Sequence, residues 1–203
     1  MPKDWKMGKL GDVAEMLPGF AFKAKSFGES YEDKVIKITN IEDTGIEICN
    51  LSGVDISGIE ERIAKYQVKT GDYVLAMTGS IGKFGRVLEG KAYINQRVLV
   101  VKNRDSIKKN LLYYALRQER FYKHLITHID SHSVQANISA NSIGEYPLVI
   151  PGKQIQEDYE NLVMPFVETI IKRNSESRSL SALRDALLPR LMSGELDVEE
   201  VAV

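Results

Sequence analysis

The 203-residue sequence has little of what builds disulfide frameworks and metal clusters, with one cysteine and three histidines. A single cysteine excludes an internal disulfide, and we expect Cys49 to be a small buried side chain. No stretch approaches the ~18 apolar residues of a membrane-spanning helix, and no apolar signal core follows the first methionine. The sequence therefore predicts a cytoplasmic protein without a membrane partner, which buries its core without disulfides or metal.

The formal net charge of -1 hides a segregation of charge along the chain. Residues 62–123 hold fourteen lysines and arginines against four acidic residues, whereas residues 42–61 hold six acidic residues and no basic one. Phosphate binding requires a surface of one sign, because neutralised phosphates release counterions. The basic region is therefore a candidate DNA surface, and a solvated face of mixed helices is the alternative.

Hydrophobic patterning predicts a mixed α/β domain over residues 1–150. A short helix is expected over residues 11–17, where Pro18 and Gly19 would end it. The run Val98-Leu-Val-Val101 lacks polar alternation, which is typical of a strand covered on both faces. β-branched residues between turn formers predict strands over 35–39, 45–49, 72–77, 86–88, 92–101 and 147–150.

Two helices are expected after the strands. From Ser106 to Ile129 the apolar residues recur at three- and four-residue steps, which predicts a helix with one buried face. A longer helix is expected over 154–187, about 50 Å at 1.5 Å per residue. Its apolar stripe follows a seven-residue frame, interrupted by six polar or charged residues over 174–179. The side chains expected to pack on a partner helix in a coiled coil are Tyr159, Leu162, Phe166, Ile170, Leu180, Leu183 and Leu187.

Two prolines fall in this region. Proline inside a helix removes a backbone hydrogen bond, so we expect a bend at Pro165. Pro189 is expected to open a separate short helix that Gly194 ends, because proline suits a first turn and glycine a C-terminal cap. Residues 151–203 are thus predicted to form a spacer and dimerisation helix followed by a short C-terminal helical tail.

Several motifs stand in a definite order along the chain. Three follow one another late in the chain: Ser133-Val-Gln-Ala-Asn-Ile-Ser139, Tyr146-Pro-Leu-Val-Ile-Pro151 and Leu183-Arg-Asp-Ala-Leu-Leu-Pro-Arg-Leu-Met-Ser-Gly-Glu-Leu196. Others stand earlier: Trp5, Leu10-Gly-Asp-Val-Ala14, Gly71-Asp-Tyr-Val-Leu75 and Thr78-Gly-Ser-Ile-Gly-Lys83. Their order resembles the specificity subunit of type I restriction-modification systems, and the resemblance covers nearly the whole chain.

This resemblance implies a non-catalytic component that recognises double-stranded DNA. In the family, a methyltransferase subunit holding S-adenosylmethionine does the chemistry, and a restriction subunit can join, so no cofactor is expected here. Full-length members hold two recognition domains and two long helices, whereas 203 residues hold one of each, without an internal repeat. The chain is therefore expected to be a half-length form that pairs with its own copy and recognises an interrupted palindrome.

The residues expected to face DNA lie in three segments. Basic side chains suit phosphate and guanine, and Asn and Gln suit adenine. The sequence alone leaves open which of them contact bases and which contact phosphates. The DNA-binding candidates are Lys23, Lys25, Thr78, Ser80, Lys83, Arg86, Arg97, Ser133, Gln135 and Asn137.

Two other functions compete with this hypothesis. His124, His128 and His132 lie four residues apart, which favours a metal-dependent small hydrolase if they share a helix face. A free-standing DNA-binding regulator would also explain the basic region.

The glycines between Gly79 and Gly85 depart from the phosphate-binding loop pattern, because Phe84 stands where a hydroxyl is required. We expect those glycines to let the loop approach another surface closely.

Overall fold

The computed structural model describes residues 2–129 and 136–196, and this part of the chain forms eleven strands and six α-helices. The strands are β1 (Lys6–Lys9), β2 (Ala14–Pro18), β3 (Phe27–Gly28), β4 (Lys34–Ile36), β5 (Ser52–Val54), β6 (Gln67–Lys69), β7 (Tyr73–Ala76), β8 (Phe84–Arg86), β9 (Lys91–Ile94), β10 (Val98–Asn103) and β11 (Pro147–Ile150). The helices are α1 (Leu10–Val13), α2 (Glu60–Ile63), α3 (Lys109–Leu116), α4 (Glu119–Thr127), α5 (Ala140–Gly144) and α6 (Lys153–Met192).

The strands form two larger sheets and one two-stranded sheet. A four-stranded sheet has the order β2-β10-β7-β8, a five-stranded sheet has the order β3-β5-β4-β9-β6, and β1 pairs with β11. The pairs are antiparallel except for β4 and β9, which run parallel. The long strand β10 lies centrally, with Leu99 opposite Pro18 on one side and Leu75 on the other.

Strands β7 and β10 divide the core into two layers. Leu75 and Leu99 belong to a cluster shared with the helices, whereas Val74 and Val100 belong to a cluster shared with the five-stranded sheet. Successive strand residues point to opposite faces, so both faces of this central pair are covered. This confirms the expectation for Val98–Val101, whose side chains are all buried.

The predicted fold class is confirmed: a mixed α/β domain precedes a long C-terminal helix. The strand expected over 72–77 is β7, and the one expected over 147–150 is β11. The strand expected over 92–101 is two strands, β9 and β10, joined by a turn at 95–97.

Some local predictions are wrong. The helix expected over 11–17 ends at Val13, because Ala14–Pro18 instead pairs along β10. Residues 45–49 form no strand in the described structure, where Ile46 makes an isolated bridge to Val87. Cys49, expected to be buried, is exposed. The helix expected over 106–129 is two helices, α3 and α4, that meet at Arg117 and Gln118.

Helix α6 contains 40 residues and includes both prolines, so Pro189 does not open a separate helix. The helix ends near Gly194, whose φ of 74° suits a residue without a Cβ. Close to Pro165, the Thr169 hydroxyl donates to the Pro165 carbonyl at 2.7 Å. The chain divides into two compact units, Met1–Met164 and Pro165–Val203. Among the described residues, no helix combines the length and apolar character needed to cross a membrane.

Candidate nucleic-acid interface

The segment after β2 lies against the turn between β9 and β10. The Phe20 N–H donates to the Ile94 carbonyl and the Gln96 N–H donates to the Phe20 carbonyl, both at 2.9 Å. A Cβ on Gly19 would lie 2.3 Å from the Ile94 oxygen, so only glycine allows this close approach. Gly19 and Phe20 therefore lie directly against the turn at 95–97, and the chain continues from them to Lys23 and Lys25.

The loop at 77–83 joins the same turn, and the segment 136–139 joins that loop. The Met77 N–H donates to the Arg97 carbonyl at 3.0 Å, and the Ile138 N–H donates to the Met77 carbonyl at 3.0 Å. A side-chain bond also joins these two segments, because the Thr78 hydroxyl donates to Asn137 Oδ1 at 2.9 Å. The segments 19–26, 77–83, 95–97 and 136–139 are called the recognition loops below.

Glycine shapes the loop that carries Lys83. Gly82 has a φ of 91°, and a Cβ there would lie 2.5 Å from the Tyr122 ring. The expectation that this loop approaches another surface closely is thereby confirmed. Lys83 is exposed at the end of the loop, and its N–H donates to the Ser80 carbonyl at 3.1 Å. An open cavity of ≈ 540 Å³ beside it is lined in part by Tyr122 and Ile126.

Most of the candidates for DNA binding lie on the recognition loops. Lys23, Lys25, Lys83 and Arg97 are exposed, and Ser80 is half-buried. Thr78 is 8% exposed, which makes its hydroxyl mainly a support for Asn137. Ser133 and Gln135 lie outside the described residues.

Arg86 was predicted to face DNA, but the structure places it inside the domain. Its side chain is 6% exposed, and its guanidinium carbon lies 4.0 Å from the centre of the Tyr113 ring. Arg86 Nη2 donates to Asn110 Oδ1 at 2.8 Å. Burial lowers the pKa of this guanidinium, and the charge of nearby Glu160 opposes that shift. Arg86 therefore supports the core and does not face DNA.

The basic side chains of residues 62–123 are also less available to DNA than the sequence indicates. Arg86 is buried, Lys109 pairs with Asp72 at 2.7 Å, and Lys123 pairs with Glu119 at 2.8 Å. Lys102 Nζ donates to the Lys65 carbonyl at 2.9 Å, and Arg117 donates to the Asp43 carbonyl at 3.0 Å. Several basic side chains of this stretch are therefore engaged in contacts within the domain, and only part of the positive charge lies on the recognition loops.

Sequence reasoning missed Gln96, which is exposed between the segment 19–26 and Arg97. Its amide can pair with a base edge as well as that of Asn137 can. The signal was available: Asn95-Gln-Arg97 is a short polar interruption between two apolar runs, which is typical of a turn.

Replacing Arg86 with methionine is expected to lower the free energy of unfolding by about 2–4 kcal/mol. The change removes the contact with the Tyr113 ring and leaves the buried Asn110 Oδ1 without its donor. Urea unfolding followed by far-UV circular dichroism measures the loss. The exposed Lys91→Met is the matched control, expected within about 0.5 kcal/mol of the parent. A loss below about 1 kcal/mol for Arg86→Met would contradict a supporting role.

The two described histidines are hydrogen-bonded to backbone carbonyls. His124 Nε2 lies 3.0 Å from the Ser142 carbonyl, and His128 Nδ1 lies 2.8 Å from the His124 carbonyl. Their ring centroids lie 4.1 Å apart, with the ring planes tilted by 31°. His132 lies outside the described residues, and within them no three His, Cys, Asp or Glu side chains form a metal-binding group.

Comparison with known proteins identifies the family. The type I restriction modification DNA specificity domain matches residues 2–176. The chain belongs to this family. The family match confirms the resemblance and the prediction of a DNA specificity component in place of an enzyme, and it does not favour the hydrolase or the free-standing regulator.

Similar proteins share modest identity with the chain and are longer. It is 23% identical over 198 residues to the HindI specificity subunit of Haemophilus influenzae, covering 97% of this chain and 42% of that protein. It is 25% identical over 206 residues to the MjaIX specificity subunit of Methanocaldococcus jannaschii, covering 99% and 46%. The chain thus spans less than half the length of these relatives.

Solved structures share the fold. The HsdS subunit from Thermoanaerobacter tengcongensis superposes with a TM-score of 0.59 at 16% identity, covering 97% of this chain and 46% of that one. The S subunit of a type I system from M. genitalium superposes with a TM-score of 0.63 at 16% identity, covering 93% and 46%.

Proposed function

We propose that this chain is a half-length specificity subunit that reads one half of an interrupted palindrome and directs a partner adenine methyltransferase to it. The observation that carries the proposal is the meeting of the four recognition loops, linked by backbone hydrogen bonds, with exposed basic side chains. Such a surface combines charge for the phosphates with amide and guanidinium groups for base edges.

Within this surface the side chains divide by chemistry. Lys23, Lys25 and Lys83 suit phosphate oxygens, because an ammonium group is a compact charge without directional preference. Arg97 suits guanine and the amides of Gln96 and Asn137 suit adenine, because each can form two hydrogen bonds to one base. The apolar wall beside Lys83, with Tyr122 52% exposed, suits a thymine methyl group.

The exposed stripe of α6 supports pairing with a second copy. Leu162, Phe166 and Ile170 are 66%, 63% and 52% exposed, and Leu180 and Leu183 are 60% and 55% exposed. Large apolar side chains in a seven-residue frame are typical of coiled-coil surfaces, where they pack on a partner helix. Tyr159 and Leu187 continue the frame and are half-buried. A two-fold pair would present two identical recognition domains, so the DNA must repeat the half-site in inverted orientation.

Division of labour follows from this arrangement. The chain and its copy select the site, the methyltransferase subunit supplies S-adenosylmethionine and transfers the methyl group, and a restriction subunit joins where the system has one. The chain itself then needs no cofactor.

Selection of bound duplexes from a random-sequence pool by the full chain tests the proposal. We expect the enriched duplexes to carry two inverted copies of one short sequence separated by a gap of constant length. Two unrelated half-sites, or one uninterrupted site, would show that the paired-copy proposal is wrong. Enrichment without any common sequence would show that the recognition loops do not read bases.

A further inference from the structure

The first turns of α6 provide hydrogen-bond partners for the start of α3. A helix leaves its first N–H groups without partners inside the helix. Here the Lys108 N–H donates to Gln156 Oε1 at 2.9 Å, and the Asn110 N–H donates to Glu160 Oε2 at 3.2 Å. Both acceptors come from about fifty residues further along the chain. Their spacing of four places them on one face of α6.

Gln156 uses its whole amide in this contact. Its Nε2 donates to the Pro151 carbonyl at 2.9 Å and to the Ser106 carbonyl at 3.2 Å, while its oxygen accepts from Lys108. The side chain is only 6% exposed. A buried amide with three directed bonds tolerates little rotation, because each lost bond would leave a buried polar group without a partner.

Glu160 connects the same contact to the interior of the recognition domain. Its Oε1 accepts from Asn110 Nδ2 at 2.9 Å, and Asn110 Oδ1 accepts from the buried Arg86 at 2.8 Å. A carboxylate at the start of α3 is also favoured by the helix dipole. We call Arg86, Asn110, Gln156 and Glu160 the α3–α6 clamp.

Arg86 also links the clamp to the strand that follows the Lys83 loop. β8 begins at Phe84, directly after Lys83, and ends at Arg86. The clamp therefore connects the start of α6 through two hydrogen-bonded side chains to a strand of the sheet that carries the recognition loops.

We propose that the α3–α6 clamp is a specificity-determining device, which holds the start of α6 at one angle on the recognition domain and so sets the gap between half-sites. Packing of apolar side chains alone would allow small rotations, whereas these directed bonds fix one orientation. The inference rests on the proposed function, because a gap exists only if two copies pair through α6. Gln156 and Glu160 act as positioning residues and do not contact DNA.

The test measures gap selection apart from half-site reading. The double variant Gln156→Ala with Glu160→Ala is compared with the parent on duplexes carrying the selected half-sites at the parent gap, at one base pair shorter and at one longer. A duplex with one half-site serves as reference. We expect the parent to prefer its own gap at least tenfold, and the variant to prefer it less than threefold. Affinity for the single half-site should stay within about twofold of the parent, since no recognition loop changes.

The matched control is Gln154→Ala with Asp158→Ala, which removes an exposed bond of 2.9 Å with the same spacing on the same turns. It should keep the gap preference. If the double variant loses its far-UV circular dichroism signal, the near-isosteric Glu160→Gln replaces it, with at least a twofold loss of preference expected. A variant that selects the gap as strictly as the parent overturns the clamp alone. A parent that selects no gap overturns the paired-copy proposal and the clamp with it.

Discussion

Replacing Leu180 and Leu183 with glutamate is expected to convert a dimer of this chain into monomers. Both leucines lie in the seven-residue frame of α6 and are more than half exposed in the single chain. A buried leucine stabilises by about 1.5–3 kcal/mol, and two copies bring four of them to the interface. Glutamate has nearly the helix propensity of leucine, so α6 itself should persist. Pairing of two such helices would bury four unpaired carboxylates, which strongly disfavours the dimer.

Light scattering at micromolar concentration measures this change. The monomeric variant should bind the two-half-site duplex weakly, because each copy then binds separately, and should no longer assemble the methyltransferase. Ser175→Glu with Ala182→Glu adds the same charge at exposed positions off the apolar frame, and should remain dimeric. A parent protein that is already monomeric under these conditions would show that this chain does not pair through α6.

The central strand was predictable because its sequence carries a clear local signal. Val98–Val101 has four apolar residues in succession, three of them β-branched, which is typical of a strand buried on both faces. The long helix was equally evident, because its apolar frame continues over several turns. Both predictions depend on local sequence alone, and the structure contains both.

The errors occurred where tertiary pairing overrides local preference. Ala14–Pro18 has a helix-compatible composition, yet it forms β2 because β10 offers it a free edge. Residues 45–49 have strand-like composition, yet only Ile46 meets a partner, through its bridge to Val87. Neither partner lies close in sequence, so no local pattern announces it.

The misplacement of Arg86 could have been avoided. Strand residues two apart share a face, so Arg86 points to the same side as Phe84. The register confirms this, with Phe84 opposite Leu75 and Arg86 opposite Tyr73, all on the helix side of the sheet. What the sequence could not show is the acceptor Asn110, which reaches Arg86 only because α3 packs on that side.

Reversing Lys83 and Arg97 to glutamate is expected to lower the affinity for the selected duplex at least a hundredfold at about 0.1 M salt. Both side chains are exposed on the recognition loops, and each reversal replaces an attraction to DNA with a repulsion. In the parent, affinity should fall steeply with salt, because phosphate contacts release counterions; the variant should show a smaller slope. Fluorescence anisotropy with a labelled duplex measures both quantities, and unchanged far-UV circular dichroism shows that the fold is retained.

The matched control is Lys69→Glu with Lys91→Glu, an exposed pair that faces across β6 and β9 at the end remote from the 95–97 turn. It carries the same change in charge and should reduce affinity less than tenfold. Equal losses in the two double variants would mean that net charge alone governs binding, and an unchanged affinity of the Lys83 and Arg97 variant at low salt would remove the recognition loops from the DNA interface.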